Sequence, residues 1–187
     1  VHSYSRRYMA GSTYKTRFFL ATFGFTVVVM ALVAADHIAL FGFLWVAMGL
    51  VMAKLIGIDE SWKQARAAST IARKYFLASS ALLGVALFAL WRATGETTIS
   101  GIGSVADTLA APVLPLAAAA LVVAAMIQSA LIPFHRWLLS SMTAPTPASA
   151  LMHAGFVNAG GILLTRFAPV LTVDTTLMLA VVAVGAA

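Results

Sequence analysis

The sequence predicts an all-α membrane protein, a polytopic bundle of transmembrane helices in which one helix is broken by proline. Of its 187 residues, 61% are hydrophobic and only 10% are charged, a composition far from that of water-soluble domains. The apolar residues gather in stretches long enough to cross a hydrocarbon core of about 30 Å at about 1.5 Å per residue. The sequence has no cysteine, which excludes disulfides and thiolate metal sites.

Charged and turn-forming residues separate the apolar stretches and set the limits of the predicted spans. The pair Asp36-His37 separates the first span from the second, and the Gly-, Thr- and Ser-rich segment 92–111 predicts an exposed loop. The predicted spans are residues 18–35, 38–58, 75–91, 113–142 (broken near 129–133) and 147–168, and another begins within 173–187. Because the last apolar run is too short to cross a bilayer, we expect residues 1–187 to form part of one transmembrane domain in a longer polypeptide.

Between the second and third spans, the segment 59–74 reads DESWKQARAASTIARK. It is charged and favours helix, and Trp62, Ala65 and Ser69 fall on one side of that helix. Amphipathic segments of this kind lie in the plane of the membrane surface. The sequence therefore predicts an interfacial helix here, followed by a separate span.

The distribution of basic residues predicts the orientation of the bundle in a cell (inner) membrane. If successive spans alternate in direction, ten of the 12 Lys and Arg residues fall on one side, and only Arg92 and Arg166 fall on the other. Cytoplasmic ends of membrane proteins collect Lys and Arg. We therefore expect residues 1–17, 59–74 and 136–145 to be cytoplasmic. This bias also explains the net charge of +6 without nucleic acid as a partner.

Residues 132–153 combine prolines with two histidines inside an apolar chain, and this combination predicts an ion path. Pro133, Pro145 and Pro147 cannot donate a helix hydrogen bond, so they predict breaks whose freed carbonyls need other partners. His153 is predicted to lie within the bilayer, where a proton relay and a neutral histidine bonded to a freed carbonyl are both open. His135 is predicted near the interface, where a structural role and proton loading are equally open.

Other polar and small residues predict packing rather than catalysis. Asn158 predicts a hydrogen bond between helices, and Gly160 with Gly161 predicts close packing or a bend. Arg166, near a helix end, is most simply an anchor at the membrane interface. No group of residues has the spacing of a metal site, a catalytic triad or a phosphate-binding glycine loop, so no metal is expected in this chain.

The run QSALIPFHRWLLSSMTAPTPASALMHAGFVNAGGILLTR, residues 128–166, resembles the signature of a known family. This family comprises the proton-conducting, antiporter-like membrane subunits of respiratory complex I and Mrp-type antiporters. Upstream, the segments around Ala35-Asp36-His37 and Trp45 resemble the family's earlier helices, so the resemblance covers nearly the whole chain. It implies the antiporter-like fold and a role in ion translocation.

Two positions depart from the family pattern. The family's coupling glutamate directly follows the tryptophan matched by Trp45, where this chain has Val46, and its coupling lysine is replaced by Gln128. Gln128 can order a water chain through its hydrogen bonds or stand as a passive remnant. Lys54 either reaches the cytoplasmic surface with its long side chain or replaces the missing cation.

These departures, together with the matches around Phe134-His135-Arg136-Trp137 and 153–169, resemble the DabB-type branch of the family. That resemblance implies a cation-coupled, proton or sodium, membrane subunit that energises CO2 hydration or bicarbonate accumulation. It also implies a large soluble zinc partner, DabA-type and similar to β-carbonic anhydrases, so zinc and the hydration chemistry are expected there and this chain is not expected to be an enzyme. Two alternatives stay open: a proton-pumping subunit of complex I or an Mrp antiporter, and a membrane anchor that only scaffolds its partner.

Overall fold

A computed structural model describes residues 2–109 and 113–186, and these residues form a helical bundle. The helices Lys15–Ala34, Ile38–Ile56 and Lys63–Thr94 are each long and apolar enough to cross a membrane, as is the composite segment Thr146–Arg166. The helix bounds are α1 His2–Tyr8, α2 Lys15–Ala34, α3 Ile38–Ile56, α4 Lys63–Thr94, α5 Ile99–Ser104, α6 Val113–Gln128, α7 Arg136–Ser140, α8 Thr146–Leu151, α9 Ala159–Arg166, α10 Ala168–Leu171 and α11 Thr175–Ala186.

Helix α4 lies at the centre of the bundle, between α3 and α6, and α2 packs against the other side of α3. Three aromatic side chains join the centre to the later helices. The ring of Phe76 on α4 lies 4.8 Å from that of Trp137 and 4.6 Å from that of Phe156, in edge-to-face geometry. Because all three side chains are fully buried, they fix the position of α7 and of the segment after α8 against α4.

The predicted interfacial helix at 59–74 is wrong as a separate element. Residues 63–74 are the first third of α4, which continues without interruption to Thr94. No proline or glycine divides the segment before Gly84, and the small buried residues repeat at helical spacing across the predicted boundary. That buried stripe consists of Ala65, Ala68, Ala72, Phe76, Ser79, Leu83, Ala86, Leu87 and Leu90. Packing of this stripe keeps the charged first turns in line with the span.

The break after α6 lies where the sequence predicted it, with Pro133 between α6 and α7. Pro145 and Pro147 lie at the predicted interruption, where α7 and its 3₁₀ turn end at Thr143 and α8 begins at Thr146. Pro145 is the N-cap of α8, and Pro147 lies in its first turn. The N–H groups of a first turn have no carbonyl partner within the helix, so the N–H that proline lacks is not needed there. The irregularity of this span comes later, as a π-helical turn at Met152–Phe156 between α8 and α9.

The loops lie at the two opposite ends of the bundle, as expected for spans that alternate in direction. At one end Arg17 contacts Glu60, with 3.4 Å between Nη1 and Oε1, and Thr146 on α8 bonds to Tyr8. At the other end the α2–α3 connection pairs with the segment after α4, through the bond from Ile99 N to the Asp36 carbonyl at 2.7 Å. The first end is the one that carries most of the lysines and arginines.

Candidate functional site

The end of α6 meets the π-helical turn in a small polar junction inside the bundle. In the π-turn the Val157 N–H bonds to the Met152 carbonyl, five residues back, at 3.0 Å, so the local carbonyls lose their regular helical partners. Gln128 Nε2 donates to the Phe156 carbonyl at 3.4 Å, and Ser129 Oγ donates to the Val157 carbonyl at 2.9 Å. Two neutral side chains thus satisfy the carbonyls that the π-turn releases.

Close backbone approach places these two helices in register. A Cβ on Gly160 would lie 2.2 Å from Ser129 Oγ and 2.6 Å from the Ala125 carbonyl oxygen. Only glycine fits at such a separation without a shift of one helix. Gly161, by contrast, faces open space, with no described atom within 4 Å of a Cβ built there. The packing predicted for the glycine pair therefore belongs to Gly160 alone.

Backbone bonds and one indole close the break in α6. The chain turns at Ala130, whose φ of 54° is unusual for a residue other than glycine. Leu131 N reaches back to the Met126 carbonyl at 2.9 Å, and Trp137 Nε1 donates to the Ile127 carbonyl at 2.9 Å. The last carbonyls of a helix have no N–H partner within the helix. The indole N–H of Trp137, on the far side of the break, is the partner of the Ile127 carbonyl. The break is therefore a defined structure that holds Gln128 in place.

A second buried chain of hydrogen bonds crosses the bundle. Trp45 Nε1 on α3 donates to Ser79 Oγ on α4 at 3.3 Å, and Ser79 Oγ donates to the Ala124 carbonyl on α6 at 2.9 Å. Ser79 is fully buried, and this series of hydrogen bonds ends at Ala124, one helical turn before Gln128. Val46, which the sequence resemblance aligned with the family's glutamate, follows Trp45 on α3 and is partly buried. Among the described residues no Asp, Glu, Lys, Arg or His is buried, so the polar interior is neutral.

Both histidines of the predicted ion path lie outside this interior. His153 is exposed on the surface of the chain, where it borders a groove of about 490 Å³ with Ser149, Met142 and Leu138. His135 is partly exposed at the start of α7, and its buried Nδ1 has no hydrogen-bond partner among the described residues. The structure thus brings Gln128 and Ser129 together at the junction and keeps the two histidines apart from it.

One further sequence prediction, for Asn158, differs from the structure, and the structure also shows where Lys54 lies. Within the described part of the chain Asn158 forms no bond between helices, because its exposed Nδ2 donates to the Ala154 carbonyl of its own helical segment at 3.2 Å. Lys54 does not face the interior either. It is exposed near the end of α3 and borders a cleft that also contains Arg66 and Arg73. Its long side chain lies at the charged end of the bundle.

Sequence reasoning missed a polar cluster at the opposite end. Arg166 is more than an anchor: its Nη2 bonds to the Ala35 carbonyl and lies 3.5 Å from Asp36 Oδ1. Asp36 also accepts hydrogen bonds from the hydroxyl of Ser100 and, at 3.1 Å, from its N–H. The Ser100 hydroxyl, with smaller contributions from the Ser100 N–H and the Arg166 charge, lowers the pKa of Asp36. Opposite charges 130 residues apart gave the only sequence signal.

The described residues contain no group of three or more His, Asp or Glu side chains that could hold a metal ion.

The model of the family described as NADH:quinone oxidoreductase/Mrp antiporter, transmembrane part, matches residues 35–187. The chain belongs to this family. As the sequence predicted, the chain is part of an antiporter-like membrane subunit, and its matched part includes the whole of the α6 junction.

Relatives within this family fall into two groups. The chain is 36% identical over 179 residues to the "Probable inorganic carbon transporter subunit DabB" of Bacillus subtilis, covering 90% of this chain and 34% of the relative. It is 34% identical over 190 residues to NADH-quinone oxidoreductase subunit L of Mycobacterium tuberculosis, covering 100% of this chain and 30% of that relative. It is also 34% identical over 187 residues to NADH-ubiquinone oxidoreductase chain 5 of Cryptococcus neoformans, covering 100% of this chain and 28% of the relative. The chain thus spans about a third of the length of these relatives.

Proposed function

We propose that this chain is part of a cation-coupled membrane subunit for inorganic-carbon uptake, which works with a soluble partner that hydrates CO2. The observation that carries the proposal is Gln128. At the position where the family resemblance implies a coupling lysine, this chain has a buried neutral amide bonded to the Phe156 carbonyl. The relatives named DabB support the same branch at 34–36% identity over 90% of the chain.

In the proposed mechanism, neutral groups carry out steps that a charged pair would otherwise perform. Val46 and Gln128 cannot form an ion pair that opens and closes as protons move. Instead, Gln128 and Ser129 hold waters beside the carbonyls of the π-turn, since an amide and a hydroxyl both donate and accept hydrogen bonds. His153 passes the proton on at the surface groove, because one nitrogen of an imidazole ring can accept a proton while the other donates one.

The partner in this proposal is a large, soluble, zinc-binding subunit of the DabA type. The described residues of this chain offer no ligand set for a metal ion, so zinc and the hydration step are assigned to that partner. The orientation follows from the basic residues, which put 1–17 and the segment 59–74 on the cytoplasmic face of the cell membrane. The subunit itself performs no covalent chemistry in this proposal.

His153→Ala tests the proposed proton site. In a host that lacks carbonic anhydrase, the full-length subunit and its partner restore growth in air, and the variant is expected to abolish this rescue at unchanged expression. Ser149→Ala is the matched control, because Ser149 borders the same groove one helical turn away and cannot exchange protons at neutral pH. Full rescue by His153→Ala would contradict the role given to His153.

The second candidate is a proton-pumping subunit of a complex I-like NADH-quinone oxidoreductase or an Mrp-type antiporter. The relatives from Mycobacterium tuberculosis and Cryptococcus neoformans favour it, since they match 100% of the chain at 34% identity. Purification of the native complex separates the two. One large zinc-containing soluble partner supports carbon uptake, whereas iron–sulfur or flavin subunits support the oxidoreductase, and several further membrane subunits without these groups support the antiporter. Uptake that survives collapse of the proton and sodium gradients would contradict both and indicate a scaffold.

A further inference from the structure

A basic cleft lies between the end of α3 and the start of α4, away from the junction at Gln128. Its volume is about 480 Å³. Its walls include Leu50, Lys54, Glu60, Arg66, Ser69 and Arg73. Arg66 and Arg73 are two turns apart on one face of α4, and Lys54 faces them from α3. The proposed ion path uses none of these groups.

The three cations around the cleft lack protein partners. Among the described residues, Lys54, Arg66 and Arg73 form neither a salt bridge nor a side-chain hydrogen bond. The acidic side chain in the wall, Glu60, is already paired with Arg17 at 3.4 Å. Three like charges facing one space repel each other, so an anion in the cleft would relieve that repulsion. The cleft therefore carries an unbalanced positive charge.

The cleft is formed by tight helix packing and does not depend on mobile side chains alone. Ser69 Oγ on α4 donates to the Ala53 carbonyl on α3 at 2.7 Å. A Cβ on Gly57 would lie 2.6 Å from the Ser69 Cβ, so the two helices approach as closely as glycine permits. This contact fixes the distance between the helix backbones that carry Lys54 and the two arginines. An anion would thus enter a cleft whose backbone is already in place, and only the three exposed side chains would have to become ordered.

Apolar residues continue the cleft toward the membrane. Leu50, one turn inward from Lys54, is 41% exposed, and Leu77, one turn inward from Arg73, is 45% exposed. Both lie on the outward faces of helices that are apolar enough to cross a bilayer. A free inorganic anion would use the cations and leave this apolar surface unused. A ligand with an anionic head and an apolar tail would use both.

We propose that the cleft binds the phosphate headgroup of an anionic phospholipid, whose acyl chains lie along the outer faces of α3 and α4. Basic pockets between transmembrane helices on the cytoplasmic side are suited to such headgroups, and anionic lipids are the counter-charge present at that surface. Each nearby Lys or Arg contributes about fivefold to the binding of an acidic lipid. The three cations together account for about a hundredfold preference.

The test uses the full-length subunit with its partner, purified and depleted of lipid. We expect its apparent Tm to rise on addition of phosphatidylglycerol and to stay unchanged with phosphatidylcholine or with inorganic phosphate. In the triple variant Lys54→Gln/Arg66→Gln/Arg73→Gln, the phosphatidylglycerol concentration needed for half of the shift should rise about a hundredfold. Quantification of co-purified lipid by mass spectrometry gives a second readout that does not depend on thermal stability.

A matched control removes the same charge at the same end of the bundle. Arg6→Gln/Arg7→Gln/Lys15→Gln changes three exposed cations outside the cleft and should keep the wild-type lipid response. An equal loss in both triple variants would overturn the proposal in favour of unspecific charge attraction. An equal response to inorganic phosphate would replace the lipid with a free anion. No response of the wild type to phosphatidylglycerol would also overturn it, and would indicate that another part of the longer chain fills the cleft.

Discussion

Gly160→Ala is the sharpest test of the polar junction, because it adds one methyl group at the closest contact between α6 and α9. The new Cβ would lie 2.2 Å from Ser129 Oγ and 2.6 Å from the Ala125 carbonyl oxygen. Real Cβ atoms do not approach other atoms this closely. The helices must therefore separate, or Ser129 must rotate and give up its 2.9 Å bond to the Val157 carbonyl.

The expected loss of stability is the sum of two effects. Overpacking of a well-packed contact costs about 1–3 kcal/mol. Loss of one buried hydrogen bond adds about 0.5–1.5 kcal/mol. We therefore expect Gly160→Ala to lower the free energy of unfolding by about 1.5–4.5 kcal/mol. Gly161→Ala is the matched control: its Cβ meets no described atom within 4 Å, and alanine favours helix by up to about 1 kcal/mol over glycine.

Thermal unfolding of the full-length subunit in detergent, followed by the fraction that stays monodisperse, measures both variants side by side. Gly160→Ala should lower the apparent Tm by several degrees, and Gly161→Ala should leave it unchanged or raise it. In the growth-rescue assay described above, growth in air should fall with Gly160→Ala only. Gln128 lies beside Ser129, so a shift of α9 would also displace its bond to the Phe156 carbonyl. Equal Tm values for the two variants would refute the close approach of α6 and α9.

Two further predictions concern hydrogen bonds outside this contact. Ser79→Ala removes the acceptor of the Trp45 indole N–H, at 3.3 Å, and should cost about 1–3 kcal/mol; Ser80→Ala, which loses only a bond within its own helix, should cost less in the same unfolding assay, and the reverse order would contradict the buried chain. Hydrogen bonds from Ser100 lower the pKa of Asp36 in the folded protein, so this carboxylate stabilises the fold above its ordinary pKa of 3.8 and loses that effect as the pH falls through the lowered value. Asp36→Asn should therefore be less stable than the wild type at neutral pH, with a gap that closes below about pH 4; a gap independent of pH would contradict this.

The positions of the spans follow from the sequence because hydrophobicity and helix length are local properties. Stretches such as 18–35 and 38–58 must bury their backbone bonds within themselves in a bilayer, so composition alone predicts them as helices. The break at Pro133 is equally local, since a proline lacks the N–H that a continuous helix needs. The family resemblance of the run 128–166 likewise depends only on the order of its residues, so it could be recognised without the structure.

Local rules failed where packing across the bundle decided the outcome. The segment 59–74 is charged and amphipathic, as a helix on the membrane surface would be. However, its small residues continue the buried stripe of α4, and packing of that stripe keeps residues 63–74 in the same helix as the span. The π-turn at Met152–Phe156 contains no proline, and its polar partners come from α6.

The sequence by itself determined that this is a membrane helix bundle of the antiporter-like family, and it has Val46 and Gln128 where the resemblance predicts a charged pair. These are statements about composition and residue identity, which need no partner in space. Only the tertiary structure decided what surrounds these residues. It put Gln128 on the carbonyl of Phe156, left His153 at the surface, and gathered Lys54, Arg66 and Arg73 around one cleft. Such contacts join residues far apart in the chain, and their energy depends on distances that no local pattern encodes.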